Sequence, residues 1–252
     1  MQRADLLLVE QGFARSRTHA QKLIKSGRVQ ADIKGKWQPL TKPGLKLEAE
    51  TPFKVEEDEA DRYVSRGALK LLKALDLLQL DLNDKTAIDV GQSTGGFTDC
   101  LLQAGIEAVV GIEVGHDQLA DKLRVDPRVT CYEGVNGRDL PQDMLLKHTD
   151  GKGFDLAVMD VSFISQRKIL PSLIPLIAKN GYLISLVKPQ FEVGKEGIGR
   201  GGIVRDSSLY PQVKAQVAEC CSELGMKIVD YFESPIKGGD GNREFLIIAR
   251  NT

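Results

Sequence analysis

Five short, nearly continuous apolar runs constrain the fold of most of this chain. They lie at residues 86–90, 108–114, 129–132, 156–161 and 182–187. A strand that is apolar on both faces must be covered on both faces, as happens in a parallel sheet flanked by helices. Helix-forming stretches at 95–104 and 210–224 can supply that cover. Two further strand candidates, 227–232 and 244–249, are separated only by a glycine-rich loop. That loop is too short for a crossover helix, so the pattern predicts an antiparallel pair. The expectation for the body is therefore an α/β, doubly wound sheet with an antiparallel terminal strand.

The rest of the chain is set apart by its charge. The 252 residues sum to a formal charge of −1, but residues 1–46 carry ten Lys and Arg against three acids, a balance of +7. Residues 48–61 carry seven acids against Lys54, a balance of −6, and the remainder is close to neutral at −2. A basic head, an acidic connection and a neutral body indicate two domains with different tasks. The expected boundaries are a small α+β domain at 1–60, a joint at 61–66 and the large α/β domain at 67–252.

Several classes are excluded by what the residues lack. Only four apolar residues, Leu6 to Val9, follow the N-terminus, too few for a signal-peptide core. No run reaches the roughly 18–20 apolar residues of a membrane span. Cys100, Cys131, Cys220 and Cys221 form no CxxC pair, and three scattered histidines complete no zinc pattern. The expectations are no metal, no membrane and a reducing, cytoplasmic setting.

In the head, Ser16 is placed to cap a helix that Gly27 stops. Ala20, Leu23 and Ile24 form its apolar stripe, leaving Arg17, Lys22, Lys25 and Arg28 toward more exposed faces. Clustered Lys and Arg suit a nucleic-acid backbone; charge alone fits a solvated helix face equally well. The wider pattern is more specific. Arg3-x-Asp5-x-Leu7-Leu8, Gly12, Ala14-Arg15-Ser16-Arg17, Ala20, Leu23-Ile24, Gly27 and Val29 resemble the small RNA-binding domain named after ribosomal small-subunit protein four. Ala31-Asp32-Ile33 departs from that family's usual Val-Asn-Gly-like turn. The resemblance implies RNA contacts at Arg3, Arg15, Arg17, Lys22, Lys25 and Arg28, with Arg62 and Arg66 in the joint.

In the body, the segment Asp89-Val-Gly-Gln-Ser-Thr-Gly-Gly-Phe-Thr98 follows the first apolar run and opens a helix. Gly91, Gly95 and Gly96 let backbone approach a ligand closely near a helix N-terminus. Ser93 stands where a GxGxxG pattern has its second glycine, which disfavours a dinucleotide site. Glu113 lies 22 residues beyond Gly91, the spacing of a carboxylate that meets ribose hydroxyls. Lys195 and Arg200, with Arg205 just beyond, make the later loop 194–202 basic as well as glycine-rich, a candidate RNA-facing loop.

The turn resembles motif one of the FtsJ-type ribosomal-RNA 2′-O-methyltransferases, and the whole chain resembles the TlyA family, often labelled haemolysin A. The stretches that carry the likeness are Arg62-Tyr-Val-Ser-Arg-Gly-Ala-Leu-Lys-Leu71, Asp89 to Thr98, Asp160-Val-Ser-Phe-Ile164, Val187-Lys-Pro-Gln-Phe191 and Gly241-Asn-Arg-Glu-Phe245. Tyr63 stands where the family often has Trp, Leu69 replaces a common His, and Gln92 a usually smaller residue. The resemblance implies a Rossmann-like class I methyltransferase sheet, S-adenosyl-L-methionine as cofactor, and ribosomal RNA or ribosomal subunits as partner. Cofactor contacts would come from Gly91, Ser93, Thr94, Gly95, Gly96, Phe97, Glu113, Asn136 and Asp160. The family's Lys-Asp-Lys-Glu tetrad falls on Lys70, Asp160, Lys188 and Glu244, with Lys188 as candidate base or proton relay.

Other readings compete. An RNA-binding assembly factor without turnover would not need all four tetrad residues. A nicotinamide-dependent oxidoreductase conflicts with Ser93 and the terminal hairpin. A pore-forming haemolysin finds no supporting segment in the chain. Neither the target nucleotide nor the oligomeric state is specified by the residues.

Overall fold

The structure is a computed structural model that describes the backbone of residues 1–252 and all side chains except those of Lys195 and Arg200. It divides into two compact units, Met1–Glu59 and Ala60–Thr252.

The first unit runs β1 (Gln2–Arg3), α1 (Ala4–Glu10), α2 (Arg17–Lys25), β2 (Val29–Ile33), β3 (Lys36–Pro39), β4 (Lys46–Leu47) and β5 (Phe53–Val55). Ser16 does cap α2: its hydroxyl accepts the His19 N–H at 3.2 Å. Leu7, Leu8, Leu23, Ile24, Val29, Ala31 and Phe53 form one buried core between the helices and the three-stranded sheet β3-β2-β5. Arg3 precedes α1 in an extended conformation and belongs to the two-residue β1–β4 pairing. Pairing so short has no periodicity to betray it.

The second unit continues with α3 (Ala68–Leu78), β6 (Thr86–Val90), α4 (Gly96–Gln103), β7 (Ala108–Glu113), α5 (Asp121–Arg124), β8 (Val129–Glu133), α6 (Gln142–Leu145) and β9 (Phe154–Met159). It closes with α7 (Leu170–Leu173), β10 (Ile177–Val187), α8 (Leu209–Glu223), β11 (Met226–Glu233) and β12 (Phe245–Asn251). Seven strands pair in the order β11-β12-β10-β9-β6-β7-β8. β8, β7, β6, β9 and β10 are mutually parallel, and β12 runs antiparallel to both β10 and β11. The predicted α/β sheet with an antiparallel terminal strand is thus the observed one. β10 starts five residues earlier than expected, with a register shift between Ile177 and Tyr182. Asn180 there takes a left-handed φ of 65°, so Lys179-Asn180-Gly181, which reads as a turn, is an irregularity within the strand.

Each face of the sheet has its own core. One gathers Val90, Ile112, Phe154, Met159, Leu173 and Ile247; the other gathers Leu71, Ala87, Leu101, Val158, Ile184 and Leu246. Alternate residues of β6, β9 and β12 enter opposite cores, which is why those strands are mostly apolar. Tyr63 is buried in the second core, so the joint's aromatic is a packing group. Among the described residues no helix is long and apolar enough to cross a membrane, and no group of His, Cys, Asp or Glu is arranged to hold a metal.

Phe154 is fully buried where β9 begins. Phe154→Ala is expected to destabilise the second unit by about 3–5 kcal/mol, read as a lowered urea midpoint.

Candidate active site

The parallel strands all end at one edge, and the site is built there, as open α/β sheets require. After β6 the chain turns at Gly91, whose φ is +83°. A Cβ at this position would come within 2.5 Å of the Asp160 carbonyl oxygen, so only glycine lets the β6 and β9 exits lie side by side. Ser93 also adopts a left-handed φ, 47°, at a cost of roughly 1–2 kcal/mol for a non-glycine residue. Glu113 holds it there: Oε2 accepts the Ser93 N–H at 2.8 Å while Oε1 accepts the Gly115 N–H at 2.8 Å. The missing second glycine is therefore replaced by a strained serine fixed by a carboxylate from the end of β7.

Two adjoining cavities open at this edge. The larger, about 580 Å³, is lined by Gly91, Ser93, Glu113, Val114, Asn136 and Asp160 together with apolar Ile112, Val135, Ile164 and Ile169. The smaller, about 200 Å³, is lined by Ser65, Gly67, Gln92, Thr94, Gly96, Phe97 and Lys188. Gly91, Ser93, Asp160 and Ser162 line both. Of the nine expected cofactor contacts, only Gly95 lines neither; it is buried, with the Leu123 side chain 2.3 Å from where its Cβ would stand. The larger cavity combines apolar walls with a few fixed polar groups and lies within the ordinary size range of small-molecule sites.

Beside the shared wall the structure brings the four tetrad candidates into one row. Lys70 on α3 places Nζ 2.7 Å from Glu244 Oε2 and 3.7 Å from Asp160 Oδ2. Lys188, just beyond β10, places Nζ 2.5 Å from Asp160 Oδ1 and donates an aligned hydrogen bond to Ser162 Oγ at 2.8 Å. The order is Glu244, Lys70, Asp160, Lys188, with signs alternating. Glu244 and Lys70 are almost fully buried, while Asp160 keeps 23% of its side chain exposed and Lys188 11%. Burying charges is tolerable only when they are paired and hydrogen-bonded. Glu244 precedes the antiparallel strand β12 and so starts at the edge where the parallel strands end.

Beneath the turn lies a second polar group. Thr98 donates to Asp89 Oδ2 at 2.7 Å and accepts from Gln92 Nε2 at 2.8 Å. Gln92 fills the space that a Cβ on Gly111 would need; its Oε1 lies 1.9 Å from that position. Complete burial, reinforced by the negative Asp160 and Glu113, pushes the Asp89 carboxyl up to about 7.

In the head unit, the expected RNA contacts Arg3, Arg17 and Arg28 are tied to acidic or carbonyl partners. Asp5, fully buried, receives Arg3 Nε and Nη2 at 2.9 Å each, Arg17 Nε at 3.0 Å and Gln21 Nε2 at 2.8 Å. These donors hold its carboxyl far below the usual range. Arg28 donates to the Glu56 carbonyl at 3.0 Å and lies 3.9 Å from Asp58. Arg15, Lys22 and Lys25 are exposed, as are Arg62 and Arg66 in the second unit. The side chains of Lys195 and Arg200 lie outside the described residues.

One residue escaped the sequence reading although it sits in a quoted motif. Phe163, three residues after Asp160, is 92% exposed and holds a strained φ of 64°. Its ring lies 5.4 Å from that of Phe191, and the two, with Arg138 and Lys168, line a shallow recess. An aromatic three residues after a catalytic-type acid was the available signal. Glu192 shapes this loop by accepting from Ser165 Oγ at 2.6 Å, the Gln166 N–H at 2.8 Å and Arg167 Nε at 3.2 Å.

Comparison with known proteins supplies the context. The FtsJ-like methyltransferase model matches residues 63–251, and the S4 domain model matches residues 2–34. The 16S/23S rRNA (cytidine-2′-O)-methyltransferase TlyA of Mycobacterium tuberculosis is 40% identical over 98% of this chain and 89% of its own. A solved chain from Streptococcus thermophilus, labelled a hemolysin, is 40% identical with a TM-score of 0.74, covering 99% of this chain and 88% of that one. A SAM-dependent methyltransferase from Methanosarcina mazei shares the fold at 16% identity, with a TM-score of 0.51 over 70% of this chain and 96% of that one.

The Asp89 carboxyl gives a pH test. Between its unfolded value near about 4 and the folded value of about 7, the folded protein keeps a proton that the unfolded chain has lost. Its contribution to stability is thus complete below about pH 4 and lost as pH rises through about 7. Asp89→Asn cannot titrate, so its stability relative to the parent is expected to rise between about pH 4 and 7, the window those values set, in denaturant titrations at each pH. A constant difference would show that Asp89 is ionised throughout.

Proposed function

Because the chain belongs to the FtsJ-like methyltransferase family and carries an S4 domain at its N-terminal end, we propose that it transfers a methyl group from S-adenosyl-L-methionine to a ribose 2′-hydroxyl, that of a cytidine, in ribosomal RNA. The observation that carries this reading is the row Glu244–Lys70–Asp160–Lys188 at the junction of the two cavities.

The larger cavity fits the cofactor's nucleoside end. Gly91 leaves the turn free of side-chain bulk, Glu113 presents a carboxylate for ribose hydroxyls, and Ile112, Val135 and Ile169 offer apolar surface for an adenine. Asn136, Ser93 and Asp160 supply further polar contacts, with Thr94, Gly96 and Phe97 along the adjoining cavity. When bound, S-adenosylmethionine supplies a methyl group made electrophilic by its sulfonium. The residues of this chain then act on the hydroxyl. Acting as the neutral amine, Lys188 takes the hydroxyl proton as the oxygen–carbon bond forms and ends the step as the ammonium, held in place by Asp160 and Ser162. Lys70, backed by Glu244, orients the hydroxyl from the other side of Asp160. Proton transfer of this kind contributes roughly 10²–10⁴-fold, and fixing the nucleophile in line contributes several kcal/mol more, on the order allowed for orientation effects.

A nucleotide must leave its helix to reach such a site. The exposed Phe163, beside Phe191 and flanked by Arg138 and Lys168, offers a stacking surface for its base. The head's Arg15, Lys22 and Lys25, with Arg3 and Arg17 splayed around Asp5, suit phosphates. A target in ribosomal RNA and four cysteines outside any disulfide both fit a cytoplasmic setting. An assembly factor without turnover would have no use for a complete row of buried, paired charges.

Lys188→Ala is expected to cut methyl transfer by at least about 10²-fold while S-adenosylmethionine still binds, measured by single-turnover labelling beside calorimetry. Transfer at the parent rate would refute the assignment of Lys188.

A further inference from the structure

The glycine-rich loop that follows Lys188 and the loop that carries Glu244 are fastened together by one side chain. Asn242 is 2% exposed. Its Oδ1 accepts the Val204 N–H at 3.1 Å, and its Nδ2 donates to the Gly202 carbonyl at 3.0 Å. Both ends of the amide are thus used on the backbone of one turn. That turn is itself ordered by hydrogen bonds: Gly199 N–H to Ile203 O at 2.8 Å, Gly202 N–H to Gly199 O at 3.2 Å, and a bridge between Ile198 and Val204. Gly201 and Gly202 both take left-handed φ values, 77° and 74°, which other residues reach only at a cost.

The other side of Asn242 leads to the charge row. Its carbonyl accepts the Gly238 N–H at 3.0 Å. A Cβ on Gly238 would stand 2.5 Å from Glu244 Oε1, so this backbone presses directly on the Glu244 carboxylate. Glu244 in turn is the partner of Lys70. The asparagine therefore links the turn at 199–204 to the residue that anchors the row, by contacts that neither loop makes alone.

We propose that Asn242 is a positioning residue that locks the glycine-rich turn in place as a preformed wall of the RNA site. A segment with five glycines in residues 194–202 would otherwise have high conformational freedom. Fixing it before RNA arrives removes that ordering cost from the binding step. What the wall faces rests on the RNA methyl-transfer reading above; the clamp itself does not.

The test uses the full chain. In Asn242→Ala, tryptic cleavage after Arg200 or Arg205 is expected to accelerate by about tenfold, the scale of losing both net hydrogen bonds. With ribosomal subunits as substrate, KM is expected to rise by about the same factor, with kcat and S-adenosylmethionine affinity nearly unchanged. Asn242→Asp keeps the oxygen that receives the Val204 N–H and loses the donor to Gly202, and should fall between the two. Cleavage and KM at parent values in Asn242→Ala would overturn the proposal. So would a parallel loss of cofactor affinity, which marks a general support of the fold. If the parent protein transferred no methyl group, the activity reading would fail, and the cleavage comparison would still decide the clamp.

Discussion

Two lysines and two carboxylates share one edge of the sheet, and each depends on the others. An isolated buried charge costs several kcal/mol, and Glu244, at 3% exposure, has Lys70 as its ionic partner. The row therefore constrains every element that contributes to it. α3 must bring Lys70 across the ends of the strands, β9 and β10 must end level with each other, and β12 must begin where they end. An antiparallel last strand meets the final condition directly, because its first residue lies at the edge where its parallel neighbours finish.

The turn after β6 shows the same dependence on a smaller scale. Ser93 is held in a left-handed conformation by Glu113, which also closes the cavity wall. Gln92 occupies the space left by Gly111 and reaches Thr98, which in turn supports Asp89. A pattern that departs from GxGxxG at one position is therefore not a weakened version of it. Two bulkier residues are accommodated by a carboxylate on one side and a missing Cβ on the other.

The strands were legible in the sequence because burial on both faces leaves an uninterrupted apolar run, and the terminal pairing because the intervening loop is short. The α3 helix was harder to read. Its buried face is Ala68, Lys70, Leu71, Ala74 and Leu75, and a lysine breaks the apolar stripe because its partner is 174 residues away. Family resemblance identified Lys70 where periodicity did not. The head shows the limit of counting charge. Ten basic residues suggest a uniform surface, yet Arg3 and Arg17 converge on Asp5 and Arg28 is tied to Glu56. The acids that reduce the net charge also fix where the arginines point, and only coordinates reveal that arrangement.

The division of labour follows from these contacts: a basic head oriented by buried acid, and a nearly neutral body that concentrates its charge in one row. Its central claim concerns a single oxygen atom. Incubating purified ribosomal subunits with the full-length protein and methyl-labelled S-adenosylmethionine, then mapping alkali-resistant linkages in the RNA, tests it directly. The account predicts label on the 2′-oxygen of a cytidine, dependent on Lys188. Label on a base, or none in any ribosomal RNA, would contradict it.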